Sequence, residues 1–418
     1  KITKLNILQD REVSEGVRYT EYRTNGKNPI DVHVVSVDRT IPGNAIRIVK
    51  GEDQAAGREM LREMSTRYST KTGNNVLAMV NANFWAAVRN NPIGACVIDG
   101  EVVEMTAYKG WTSAFFDVNN RIAIDTFKIS GQVRWKGQAY TVSTTNRRVD
   151  STHVVVYNQF GGTNVPFVSA KRVQALFAEA AKDTAYLAMD STEQALSQET
   201  LRQEILRAQR EANAEYPMVK IILRYLGTPS VNRDVPCLVV GIDSGTVNMP
   251  LRGCILSVPR STLAAGMPSL NDTMVVSFTT NLDRTVRYMN AVCGTPRLVR
   301  KGKAKHEALK EGSTGKRFIR HNLARTALGT DRTGNKLIMV AVRASNSDTR
   351  TVGATLDQMA QIMRVLGAHD AMNLDGGGST GMVVQHDHVF YDGIDPNTRP
   401  VSVGLAIVKL SSILRSTY

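Results

Sequence analysis

Short apolar runs that alternate with polar residues, each cut by a turn signal, recur along most of this chain. No other feature limits its fold as much. Residues 30–50 open with IDVHVVSVD and close with AIRIVK around a Pro-Gly turn. Their apolar positions follow the two-residue period of a half-buried strand. The same reasoning predicts a buried strand in VLAMVNANFW, several strands across 93–145, and others at 218–225, 236–242, 272–279 and 336–343. DAMNL (370–374) and GMVVQ (381–385) add two short ones.

Helical spacing is confined to three places. Residues 53–68 place Met60, Leu61 and Met64 on one face. From Ser169 to Tyr216 the chain has no Gly or Pro and is rich in strong helix formers, with Leu201, Ile205, Ala208 and Ala212 repeating every three or four residues. Thr355 and Gln358 have the spacing of a capping box, and Leu356, Met359, Ala360, Met363 and Leu366 form a stripe that ends at Gly367. The expected fold class is therefore α+β: mixed, largely antiparallel sheets with packed helices. It is read as a single elaborated domain (30–410) with a helical insertion at about 169–216. Residues 1–29 are read as an N-terminal extension and 411–418 as a C-terminal tail.

No run approaches the roughly 18–20 apolar residues of a membrane span, so no transmembrane segment is expected. The chain starts KITKLNILQD, without Met or an apolar leader, which is read as a mature or trimmed form. Four cysteines, Cys96, Cys237, Cys254 and Cys293, form no CxxC pair and are read as buried free thiols. The net charge is +14, and residues 297–320 carry nine Lys or Arg against two Glu. Such charge attracts polyanions. Nucleic-acid binding is not expected, because zinc-finger spacing and interleaved basic and aromatic residues are both missing. His386, Asp387 and His388 have the atoms of metal ligands but are read as part of a strand and turn. No metal site or cofactor is expected, with a divalent cation left open.

The chemistry concentrates in NLDGGGST, residues 373–380. Successive glycine N–H groups can converge on an anion, and Asp375 stands at the end of a predicted strand. Neither a P-loop nor a dinucleotide fingerprint fits, since no Lys follows the glycines and a strand, not a helix, comes next. HNLARTALGT adds Arg325, whose guanidinium suits phosphate oxygens. VNANFW adds Asn81 and Asn83 beside two aromatics.

These blocks, in order, resemble those of the phosphodiester glycosidase family. NANFW, IGACVIDGEVV, GTPRLVRKGK, ARTALGTDRTGNKLIMVAV, TVGATLDQMAQIMRVLGAHDAMNLDGGGSTGMVV and TRPVSVGLAIV carry the likeness. It departs at Asn83, Trp85, Arg343 and Val403. The resemblance implies hydrolysis of a glycosyl-1-phosphodiester such as a GlcNAc-1-phosphodiester, outside the cytosol in the periplasm, at the cell surface or secreted. By motif position it implies Asp375, Asp370 and Arg325 as catalytic. Asn81, Thr326, Asn373, Gly376, Gly377, Gly378, Ser379, Thr380 and Arg399 would bind substrate or phosphate. The alternative is a non-catalytic module holding an acidic or phosphodiester-containing surface glycan. Oligomeric state is left open.

Overall fold

The computed structural model describes residues 1–86, 90–167, 191–386, 389–392 and 399–411. The expected α+β class is corrected: the protein is mostly β, with 44% strand and 16% helix in several sheets and a near-barrel. Four α-helices occur among the described residues: α1 (Leu61–Thr72), α2 (Ser191–Glu215), α3 (Lys316–Arg320) and α4 (Leu356–Val365). Three of them fall within or overlap the expected helical segments, α3 was not expected, and all four flank sheets and do not form a layer equal to them. The initial part of the expected 53–68 helix is instead a 3-10 turn at Gly51–Asp53 and a bridge at Glu59.

A first, eight-stranded sheet runs in the order Leu5–Ser14, Val17–Thr24, Asp31–Asp38, Lys336–Val342, Arg325–Thr330, Asp370–Asn373, Arg297–Arg300 and Lys303–Ala304. A second has five strands, Val389–Asp392, Met382–His386, Asn75–Asn81, Val403–Lys409 and Asn44–Lys50. A third, five-stranded sheet is built around Tyr288–Gly294 and Thr112–Asp117, and a fourth, eight-stranded one around Val219–Tyr225 and Arg233–Asp243. One core joins the first three sheets. Val35, Leu328 and Met339 meet Ile46, Ala78 and Leu405 from the second sheet and Cys96, Phe116 and Val292 from the third. A separate core lies between the third and fourth sheets.

Helix α4 covers the opposite face of the first sheet with Leu356, Met359, Ala360, Ile362 and Met363, all buried. Its capping box is present. Thr355 Oγ1 accepts from Gln358 N at 3.2 Å, and Gln358 Oε1 accepts from Thr355 N at 2.9 Å. Thr355→Ala should cost about 1 kcal/mol in urea unfolding. An unchanged midpoint would mean that packing alone fixes this helix end.

The described part of the expected insertion is α2; residues 168–190 lie outside the described residues. Ile205 and Ala212 of the expected face are buried. The helix docks onto the fourth sheet through its last residue. Glu215 and Arg148 are both about 2% exposed or less, and Arg148 Nε donates to Glu215 Oε2 at 2.6 Å. Tyr157 OH donates to the same oxygen at 3.0 Å, and Ser257 Oγ donates to Oε1. The remaining Arg148 N–H groups reach the carbonyls of His153 at 2.6 Å, Asp150 at 3.1 Å and Ser257 at 3.2 Å. Every polar atom of this buried pair is therefore satisfied, as burial requires.

All four cysteines are buried free thiols. Burial pushes Cys96 and Cys293 up to about 12, so both stay protonated at neutral pH. Among the described residues, no helix is long and apolar enough to cross a membrane.

Candidate active site

Residues 374–381 connect the first sheet to the second, leaving strand Asp370–Asn373 and entering Met382–His386. The connection is clamped from both sides. Leu374 N donates to Thr326 O at 2.8 Å, Asp375 N to Ala82 O at 2.9 Å, and Gly377 N to Ala324 O at 2.9 Å. Asn81 ties the clamp together. Its Oδ1 accepts from Thr326 Oγ1 at 2.6 Å and Gly381 N at 3.2 Å, while its Nδ2 donates to Asp375 O at 2.7 Å.

Two of the three glycines are required by backbone geometry. Gly377 has φ +59°, and a Cβ on Gly376 would lie 2.7 Å from Ala324 O. The expected three-fold nest is not what forms, however. Gly376 N donates to Asp375 Oδ1 at 2.9 Å and Gly377 N is taken by Ala324. Only the Gly378 N–H of the three has no internal acceptor among the described residues.

Asp375 is 6% exposed. Burial pushes its carboxyl up to about 6, against the opposing pull of Ser379, Gly376 N–H and the Arg399 charge. Ser379 Oγ accepts from Arg399 Nε at 3.0 Å and Nη2 at 2.8 Å. Ser379 thus lies between Arg399 and Asp375, and its hydroxyl and the Arg399 charge both favour the ionised carboxylate. Near the glycines two acceptors are buried without a partner among the described residues, Asn373 Oδ1 and Thr380 Oγ1. The Asn373 amide donates to Thr295 O and Leu374 O, both at 2.8 Å.

Two expected catalytic residues stand apart from this trio. Arg325 and Thr326 are adjacent in one strand, so their side chains take opposite faces of the sheet. Thr326 turns to Asn81, while Arg325 Nε donates to Ala354 O at 2.9 Å and Nη2 to Phe318 O at 2.6 Å. The guanidinium also lies 5.2 Å over the Phe318 ring. It has no carboxylate partner among the described residues, and burial lowers its pKa to about 10. Asp370 begins the strand that Asp375 follows, roughly 16 Å away for extended chain. There it pairs with Arg297 and with His369 Nδ1 at 2.8 Å, and accepts from Lys301 N at 3.2 Å. Burial raises its pKa, but these partners outweigh burial and lower it overall.

The basic stretch 297–320 is held by its own acids. Arg300 and Lys310 pair with Glu307, and Glu311 accepts from Thr112, Thr295 and Arg297 N. Asp387 and His388 lie outside the described residues.

Sequence reasoning marked Phe84 and Trp85 only as aromatics beside Asn81 and Asn83, and missed what they touch. Trp85 lies under two cations, with Arg399 4.8 Å and Arg58 5.8 Å from its ring. Lys50, buried under these segments, donates to Gly57 O at 2.6 Å and Ser402 O at 2.8 Å. Its bonds join the neighbours of Arg58 to those of Arg399. Phe84 turns instead to Trp111 and Phe318, at ring distances of 5.1 and 6.3 Å. No motif in the sequence links these residues.

Residues 247–408 match the phosphodiester glycosidase family, which bears out the resemblance over that part of the chain. No curated protein matches by sequence. A hypothetical protein from Synechocystis has a similar structure at 17% identity and TM-score 0.63, over 95% of this chain and 62% of its own. This chain thus spans less than two thirds of that protein. A candidate exported protein from Burkholderia pseudomallei aligns at 16% identity and TM-score 0.59, over 91% of this chain and 74% of its own. The catalytic domain of zebrafish N-acetylglucosamine-1-phosphodiester alpha-N-acetylglucosaminidase, auto-inhibited by its pro-peptide, gives 12% identity and TM-score 0.44 over 97% and 88%. At these identities the first two likenesses concern the fold alone.

Proposed function

We propose that this chain, whose residues 247–408 match the phosphodiester glycosidase family, hydrolyses a sugar-1-phosphodiester, with a GlcNAc-1-phosphodiester as the substrate type. The Arg399–Ser379–Asp375 arrangement carries this reading. It sets a buried carboxyl with a pKa of about 6 next to a cation and a free backbone N–H. In the reaction, water attacks the anomeric carbon as the bond from that carbon to the phosphate oxygen breaks. Asp375, ionised above about pH 6, takes the proton of the water. The phosphate leaves as a monoester on the other partner. Arg399 and Gly378 N–H stabilise its charge. Asn81 and Thr326 hold the loop. Arg325 and Asp370 act through the scaffold, as braces of the two sheet ends. The fold shared with a candidate exported protein supports a location outside the cytosol.

The test is release of N-acetylglucosamine from a GlcNAc-1-phospho-sugar diester. Wild type should release it, and Arg399→Ala should lower kcat/KM by about 10²-fold. Folded wild type that binds the diester but never cleaves it, or any other glycosyl phosphodiester, would replace the enzyme with a binding module.

A further inference from the structure

We propose that Trp111 and Tyr108, backed by Phe84 and Phe318, form a stacking platform for a pyranose ring beside the Asp375 loop. The proposal rests on the glycosidase reading above and names where the sugar lies.

Position comes first. Ala82 O holds Asp375 N at 2.9 Å, and Phe84 is two residues further along the same segment. Two residues span at most about 7 Å, so the platform begins within one sugar width of the carboxylate loop. From Phe84 the rings continue outward, with Trp111 at 5.1 Å and Tyr108 4.8 Å beyond it, edge to face.

Exposure is the second observation. An aromatic cluster made only for packing would be covered, yet Tyr108 is 44% exposed and Phe84, Trp111 and Phe318 are half-buried. The Trp111 Nε1 atom, in contrast, is buried with no acceptor among the described residues. A buried indole N–H ordinarily has one. For the exposed ring faces a pyranose supplies the missing part, its apolar C–H groups.

The platform is also fixed in place. Gly110 N donates to Glu311 O at 3.3 Å, Thr112 Oγ1 to the Glu311 carboxylate at 2.6 Å, and Lys109 Nζ to Gly312 O at 3.1 Å. Lys109 itself takes φ +49° and lies 5.3 Å from the Tyr108 ring. A strained turn held by so many bonds keeps the rings pre-set for a ligand.

Binding is read without turnover, by saturation-transfer NMR titration with the methyl α-glycosides of N-acetylglucosamine, glucose, mannose and galactose. Wild type should bind at least one of them. Trp111→Ala and Tyr108→Ala should each weaken it by about tenfold, and Trp111→Phe, which keeps a ring face, by less. Trp135→Phe, in the fourth sheet, should change nothing. Wild type that binds none of the four, or a folded Trp111→Ala protein that binds as well as wild type, overturns the platform. Sugar binding lost in Trp111→Ala without any diester hydrolysis by wild type keeps the platform and rejects the glycosidase. Hydrolysis by wild type with undiminished sugar binding in Trp111→Ala does the reverse.

Discussion

Asp375→Asn should abolish turnover and at the same time make the protein more stable at neutral pH. The loss of turnover follows from removing the only buried carboxylate that touches the glycine loop in the described residues, and should be at least about 10²–10⁴-fold. The gain in stability follows from its pKa. Burial raises the carboxyl to about 6 in the folded protein, against about 3.9 in an unfolded chain. The folded state thus holds this proton more tightly than the unfolded state does. Its contribution is complete below about pH 4 and is lost as pH rises through about 6. Above that, the ionised group costs on the order of 2–3 kcal/mol. An asparagine carries no charge, keeps an oxygen for Gly376 N–H, and avoids that cost. In urea unfolding, the difference between variant and wild type should grow from about pH 4 to pH 6 and then level off. A variant that is inactive and also less stable at pH 7 would mean that Asp375 is a structural residue.

Arg148→Met should destabilise the protein by about 3–5 kcal/mol, the largest loss expected from any single change outside the site. The effect comes from what remains. Glu215 would still be buried at the end of α2, with its arginine gone and only the Tyr157 and Ser257 hydroxyls on its oxygens. The double variant Arg148→Met/Glu215→Leu removes both charges and should recover part of the loss, since much of the penalty lies in one uncompensated ion. A double variant no better than the single one would place the cost in packing. Because α2 docks through this pair, limited proteolysis should cut Arg148→Met within 191–215 first.

The strands were legible because short apolar, β-branched runs are bounded by turn signals, even where a strand such as Asn75–Asn81 or Lys336–Val342 is buried on both faces. The 356–365 helix was legible because its cap is local: Thr355 and Gln358 satisfy each other within one turn. The fold class was not legible, since it depends on how many strands share each sheet, and pairs such as Ala341 with His33 are distant in sequence. The same limit applied at the site. The glycine loop was marked by composition, but which of its N–H groups are occupied depends on the carbonyls of Ala82 and Ala324, and a carbonyl has no signature in sequence. Arg325 was expected beside a phosphate on residue type and on its motif position in the resemblance. Strand alternation from Thr326 would have placed it on the other face. Trp111 and Phe318 approach Phe84 only through tertiary packing.

The second sheet places Val403–Lys409 between Asn44–Lys50 and Asn75–Asn81, so the late strand is the spacer between two early ones. On the ribosome the two early strands emerge first and face an unfilled slot, with Asn81 already made but Arg399 and its flanking strand still to come. The chain can therefore complete this sheet, and the glycine loop anchored to it, only after residues 399–409 have been made. Until then the two exposed strand edges must be kept from pairing wrongly, a demand on chaperones or on translation speed that the folded protein no longer reveals.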